Sequence, residues 1–303
     1  RAAKRSSPQC IIDTDKPIWG ENVVGVALGL FDSVQICHNH YHRDATLHLG
    51  WGMAADDADR QEYWGEDELF YRTNLTYYRF LNCGFRLAVT GGSAMGVMPV
   101  PLGYSRTYAK LDGPLTEGNY LKAIRAGRTF ATSGPMLILT ANGLDCGSQI
   151  QYTIRSIKPI LVKAEVRSIQ SLNSLELIYN GRVIKKINLN NLSPSPTFKK
   201  SLKAKLKPQR SGWLAARAIF TSPDGRFRQA HTSPIYVTVD GKPTASKADA
   251  EYMIKWIDRL LQAANKPGRY SSDIEQAEVR AIFQEARKEY ESIARKAEEF
   301  WAD

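Results

Sequence analysis

Near residue 136 the hydrophobic periodicity of the chain changes, and no single-layer fold accommodates both halves of the pattern. Between about 136 and 240, short apolar runs alternate with turn residues: 136–140, 151–155, 160–166, 174–179, 182–189, 198–206, 212–220 and 234–239. Strands at that spacing predict two stacked antiparallel sheets, an immunoglobulin-like β-sandwich. Asn180-Gly181 is the strongest hairpin signal, because a type I′ turn needs positive φ at both central residues. Ser222-Pro223-Asp224-Gly225 supplies a further turn.

Residues from about 9 to 135 instead mix apolar runs with helical patterns. The runs at 10–12, 34–37, 87–90 and 107–109 read as strands, and 22–30, 74–82 and 116–126 read as helices, which is an α/β order. Thr116 is placed to cap the last helix, and Gly127 to leave it in a left-handed conformation. The polar stretch from His48 to Tyr71, with Trp51 and Trp64, reads as a lid-like excursion. From Ser246 onward the tail is helical, broken at Lys266-Pro267-Gly268, and its apolar stripes predict an antiparallel hairpin packed on the remainder. The expected division is 1–135, 136–243 and 244–303.

Composition narrows the class without naming it. Of 303 residues, 43% are hydrophobic and 24% charged, as in an ordinary globular protein. No membrane-length apolar run or signal-peptide pattern occurs, so a soluble protein without a membrane partner is expected, exported only if a longer parent carries a signal peptide. Cys10, Cys37, Cys83 and Cys146 are too few and too dispersed for a disulfide framework. A net charge of +10 favours anionic partners. Yet Lys199, Lys203, Lys205 and Lys207 alternate with Phe198, Leu202, Ala204 and Leu206, the pattern of a half-buried strand protected by lysines on its outer face. No aromatic residues interleave to stack bases, so nucleic acid is not expected as a partner.

Four of the five histidines fall between His38 and His48, directly after the apolar run at 34–37. Side chains alternate along an extended strand, so His38, His40 and His42 can share one side, as metal binding or proton transfer requires. A wet loop, or histidines hydrogen-bonded beneath a neighbouring element, is the alternative.

Several segments resemble one family. Asp112-Gly113-Pro114-Leu115 and Ala123-Ile124-Arg125-Ala126-Gly127-Arg128-Thr129-Phe130-Ala131-Thr132-Ser133-Gly134-Pro135 are similar to the end of the catalytic domain in the carbaryl-hydrolase-like (CehA/McbA) branch of the PHP metallohydrolases. Asp13-Thr14-Asp15-Lys16-Pro17, Leu81-Asn82-Cys83-Gly84-Phe85-Arg86 and Pro101-Leu102-Gly103-Tyr104-Ser105-Arg106 resemble that branch upstream. Trp213-Leu214-Ala215-Ala216-Arg217, Ala230-His231-Thr232-Ser233-Pro234-Ile235-Tyr236-Val237 and Ala248-Asp249-Ala250-Glu251-Tyr252 resemble it downstream.

The resemblance implies a distorted β/α barrel, incomplete here, followed by the sandwich and a carboxy-terminal helical hairpin. It also implies divalent-metal hydrolysis of an ester, carbamate or phosphoester at the barrel mouth, on a small-molecule or carbohydrate-derived substrate. Zinc, iron or manganese would be held by His38 and His40 with Asp13 or Asp15, His42 would move a proton, and Arg106 would hold an anionic group. For Asp13 and Asp15 a turn or helix cap before Lys16-Pro17 is the competing role, and for Arg106 a surface ion pair. The family's amino-terminal strands and its first His-x-His motif have no counterpart, which makes the chain either the carboxy-terminal portion of a longer protein or a degenerate relative. Ala94 stands where relatives carry a metal-site aspartate; a methyl group cannot coordinate a cation, so that ligand is lost unless Ser93 or an upstream residue substitutes. A carbohydrate- or protein-binding relative without a metal site is the rival function.

Overall fold

The structure, a computed structural model, describes residues 2–42, 68–94, 100–190, 198–222, 225–266 and 270–301. After a short helix, α1 (Ala2–Ser6), three strands pair in parallel in the order β1-β2-β3: β1 (Asp13–Thr14), β2 (Ser33–His38) and β3 (Ala88–Gly92). Parallel neighbours require crossovers. The first contains α2 (Asn22–Ala27) and the second contains α3 (Glu68–Asn82). Val34, Ile36 and Val89 are completely buried, as expected when both faces of a parallel sheet are covered. Because the three strands run the same way, Thr14, His38 and Gly92 end at one edge, the carboxyl edge where open α/β sheets present their sites.

The barrel pattern stops there. β4 (Arg106–Ala109) and β5 (Thr129–Thr132), joined through α4 (Glu117–Arg125), pair antiparallel with each other, and β5 pairs antiparallel with β14 (Phe227–Thr232). Both belong to an eight-stranded sheet whose main path runs β11 (Arg182–Asn188), β10 (Ser174–Tyr179), β13 (Gly212–Thr221), β14, β5, β4. An antiparallel pair cannot continue a parallel barrel, so no closed barrel forms among the described residues. The boundary expected at 135 falls inside this sheet.

The remaining strands of that sheet are β8 (Gln149–Tyr152) and β15 (Ile235–Val239). A second sheet, in the order β12-β9-β6-β7, comprises β6 (Met136–Ala141), β7 (Leu144–Asp145), β9 (Ile160–Arg167) and β12 (Lys199–Leu206). Leu137, Leu139, Val162, Ala164 and Leu202 from the second sheet share one core with Leu175, Leu177, Leu214, Ala216 and Phe220 from the first, a sandwich-like arrangement. Asn180 and Gly181 have φ of 49° and 81°, the positive values expected of the β10–β11 turn.

β13 explains how the molecule coheres. Alternate residues Leu214, Ala216 and Ala218 enter the sandwich core, while Trp213 and Ala215 enter a second core formed with β2, α2, α3 and the tail. That tail is a helical hairpin of α5 (Lys247–Ala264), capped by Ser246 accepting from the Asp249 N–H at 3.3 Å, and α6 (Asp273–Trp301). Tyr290, Ile293 and Ala297 of α6 share the core with Val23, Phe80 and Trp256, and the Tyr290 hydroxyl donates to the Val23 carbonyl at 3.0 Å. No described helix is long and apolar enough to cross a membrane.

Candidate functional site

β2 delivers His38 to the carboxyl edge, paired with Gly92 of β3. The strand ends there. Asn39–His42 form a 3₁₀ turn, so the strand alternation on which the expected row of imidazoles rested does not continue past His38. Two of the rings still meet: His38 and His40 lie edge to face with centroids 5.8 Å apart. Both are buried, with His38 at 0% and His40 at 7% exposure. The side chain of His42, together with His48, Trp51 and Trp64, lies outside the described residues.

The surroundings of this pair are specific. His38 Nε2 lies 3.1 Å from the Thr73 hydroxyl of α3, and the Trp19 ring stands edge-on to His40 at 6.4 Å. Lys16, itself buried, places its ammonium 4.6 Å from the Trp19 ring centre and pairs with Asp15. Burial, then the neighbouring His40 and Lys16, push the His38 pKa well below the usual histidine range. His38 is therefore a neutral imidazole across the physiological range, with one ring nitrogen lone pair in the plane of the ring.

One expected carboxylate, Asp13, is elsewhere. Asp13 pairs in register with Ser33, five residues before His38 and roughly 16 Å away along the strand at ~3.3 Å per residue. Its Oδ1 accepts from the Ser33 and Thr90 hydroxyls at 2.6 and 2.7 Å. Enclosure by protein, assisted by Asp15, raises its pKa above the ordinary value against those donors. Asp15 is engaged by Lys16.

Two sequence candidates near β3 and β4 are likewise occupied. Ser93, the expected substitute for a ligand at Ala94, accepts from the Ser105 N–H at 3.0 Å and lies 3.3 Å from the Ser105 carbonyl. Arg106 donates to the carbonyls of Gly103 and Gly134 at 2.9 and 3.3 Å, with its guanidinium 5.9 Å from the Tyr108 ring centre. It thus clamps two loop carbonyls through its terminal nitrogens.

Two imidazoles on one tetrahedral cation, with metal–nitrogen bonds of about 2.0–2.1 Å, hold their ring centres about 5 Å apart. The His38–His40 separation fits that to within an ångström, and the neutral state of His38 fits too. The rest of the set does not fit. Among the described residues no three His, Cys, Asp or Glu side chains stand where they could hold a metal ion, so His38, His40, Asp13 and Asp15 do not assemble into one site.

A second buried polar cluster escapes any local sequence signal. The Tyr78 hydroxyl of α3 lies 2.8 Å from His231 Nε2, and His231 Nδ1 lies 2.8 Å from the Thr232 carbonyl. A carbonyl can only accept, so Nδ1 carries the proton and Nε2 accepts from Tyr78. Arg217 binds Glu176 through Nε at 3.0 Å and Nη2 at 2.7 Å, and reaches toward the Tyr78 hydroxyl at 3.5 Å. Burial, then Arg217, hold the His231 pKa down at about 3. The cluster ties α3 to the outer face of the eight-stranded sheet, and β13 is where the two cores meet.

No family model and no curated protein matches the chain. Among solved structures, similarity is found to the neutron crystallographic structure of a Jonesia denitrificans lytic polysaccharide monooxygenase, at 10% identity, covering 50% of this chain and 87% of that chain. Its TM-score of 0.21 is too low to carry any conclusion about fold or activity.

Proposed function

We infer that this chain is the carboxy-terminal portion of a PHP-type metal-dependent hydrolase of the carbaryl-hydrolase-like branch, acting on ester, carbamate or phosphoester bonds. The reading rests on the sequence segments that resemble that branch. One geometric observation supports it: two buried imidazoles, one of them held neutral, meet at the carboxyl edge of a parallel sheet. A divalent ion bound there would supply Lewis acidity and an activated water. Within this chain, Thr73 orients the His38 ring and Trp19 shields His40 from one side. The further ligands are not among the described residues.

The occupied state of Ser93, with Ala94 beside it, favours a second reading, a carbohydrate- or protein-binding relative that has lost the metal site. Metal analysis of the purified chain and of a longer parent, with zinc, iron and manganese offered in turn, separates the two. Stoichiometric metal that falls at least tenfold in His38→Ala and His40→Ala supports the hydrolase. Metal content unchanged by both substitutions, or absent from both forms, refutes it.

A further inference from the structure

A cleft of about 520 Å³ opens between the β10–β11 turn, the loop after β12 and the start of α5. Arg182, Lys207 and Arg210 line it, all exposed. Among the described residues none of the three is paired with a carboxylate. Cations nearby on the same sandwich are treated differently: Lys186 pairs with Glu176 at 3.2 Å, while Lys163, Arg167 and Lys199 share Glu165.

Several other polar groups of the lining are engaged within the protein. Asp249, its carboxylate, is held by Asn82 at 2.9 Å and Arg79 at 3.5 Å. The Tyr179 hydroxyl donates to the Arg210 carbonyl at 2.9 Å, and Asn180 Oδ1 accepts from the Trp213 N–H at 2.9 Å. A concave, donor-rich lining with two guanidinium forks and an ammonium matches the geometry and charge of a tetrahedral oxyanion. Tyr179 is the one aromatic residue in that lining and its hydroxyl is tied down, so the cleft lacks the stacking faces that nucleic-acid bases need.

We propose that this cleft binds the phosphate or sulfate ester group of a small molecule through Arg182, Lys207 and Arg210. The site is independent of the metal reading, and the measurements are made in EDTA so that the two stand or fall separately.

Calorimetric titration of the full chain with inorganic pyrophosphate and with sucrose octasulfate, at 150 mM salt, tests it, and the stronger of the two arms identifies the ester. At least one arm binds at one equivalent, and Arg182→Ala combined with Arg210→Ala weakens it at least 20-fold. Lys203→Ala combined with Lys205→Ala removes equal charge from the neighbouring outer face of β12 and shifts the affinity less than threefold, because screening confines the effect to contacts. All four side chains are exposed, so an unchanged melting temperature verifies that both variants fold. No binding of either anion up to millimolar concentration, or an equal loss in both double variants, overturns the proposal.

Discussion

His231 is placed so that acid should act on it from the unfolded side. The ring is 0% exposed, donates from Nδ1 to the Thr232 carbonyl and accepts at Nε2 from Tyr78, and the Arg217 guanidinium lies close by. A second ring proton would be buried next to a positive charge, which is why burial and Arg217 hold the pKa at about 3. In the unfolded chain the ordinary value is about 6.5. Between those two values the unfolded state binds the extra proton and the folded state does not, so stability is lost as pH falls through that window and is unaffected above it.

At pH 4.5 the gap from the unfolded value is about two pH units, worth about 2.7 kcal/mol at 1.36 kcal/mol per unit. His231→Gln keeps an acceptor and a donor but cannot titrate. The wild-type advantage over this variant should therefore shrink by about 2.7 kcal/mol between pH 8 and pH 4.5. Urea unfolding at both pH values measures that change, and nitrogen-detected histidine NMR follows the ring directly. Parallel pH dependence in the two proteins, or a His231 signal that titrates near 6.5, refutes the reasoning.

Two further perturbations test the packing around β13. Glu176→Ala leaves the buried Arg217 without the carboxylate oxygen that accepts from its Nε and Nη2 and should cost about 3–5 kcal/mol in chemical unfolding, whereas adding Arg217→Met should restore much of it; equal losses in single and double variants would count against a coupled pair. Gly147→Ala places a methyl against the Ala126 carbonyl at a φ of 82° and should cost on the order of 3 kcal/mol. Gly143 has the same φ but open surroundings, so Gly143→Ala should cost only about 1–2 kcal/mol. Equal melting shifts in these two variants would show that the contact between the α4 exit and the 147 loop is loose.

The element types were largely written in local patterns. The strand at 174–179, the helix capped by Thr116 and the left-handed Gly127 appear where periodicity and capping chemistry place them, because those signals depend on residues within a few positions of one another. β14 was the main omission. Its Phe-Arg-Gln-Ala-His-Thr sequence carries no apolar alternation, since its polar side chains are satisfied inside the protein by partners far along the chain, His231 by Tyr78 and Gln229 by the Ile36 carbonyl. The candidate site divides the same way. The crowding of His38 and His40 was visible, but their neighbours Thr73, Trp19 and Lys16 were not, nor was the capture of Asp13 by Ser33 and Thr90.

Sequence alone determined the chief turns, most of the helices and strands, and that two imidazoles follow the second parallel strand. Tertiary structure decided which strands became neighbours, sending β4 and β5 to the antiparallel sheet, and which side chains became partners. Such partnerships span up to 267 residues, as between Tyr290 and Val23, and their energy exists only after the intervening chain has closed around them.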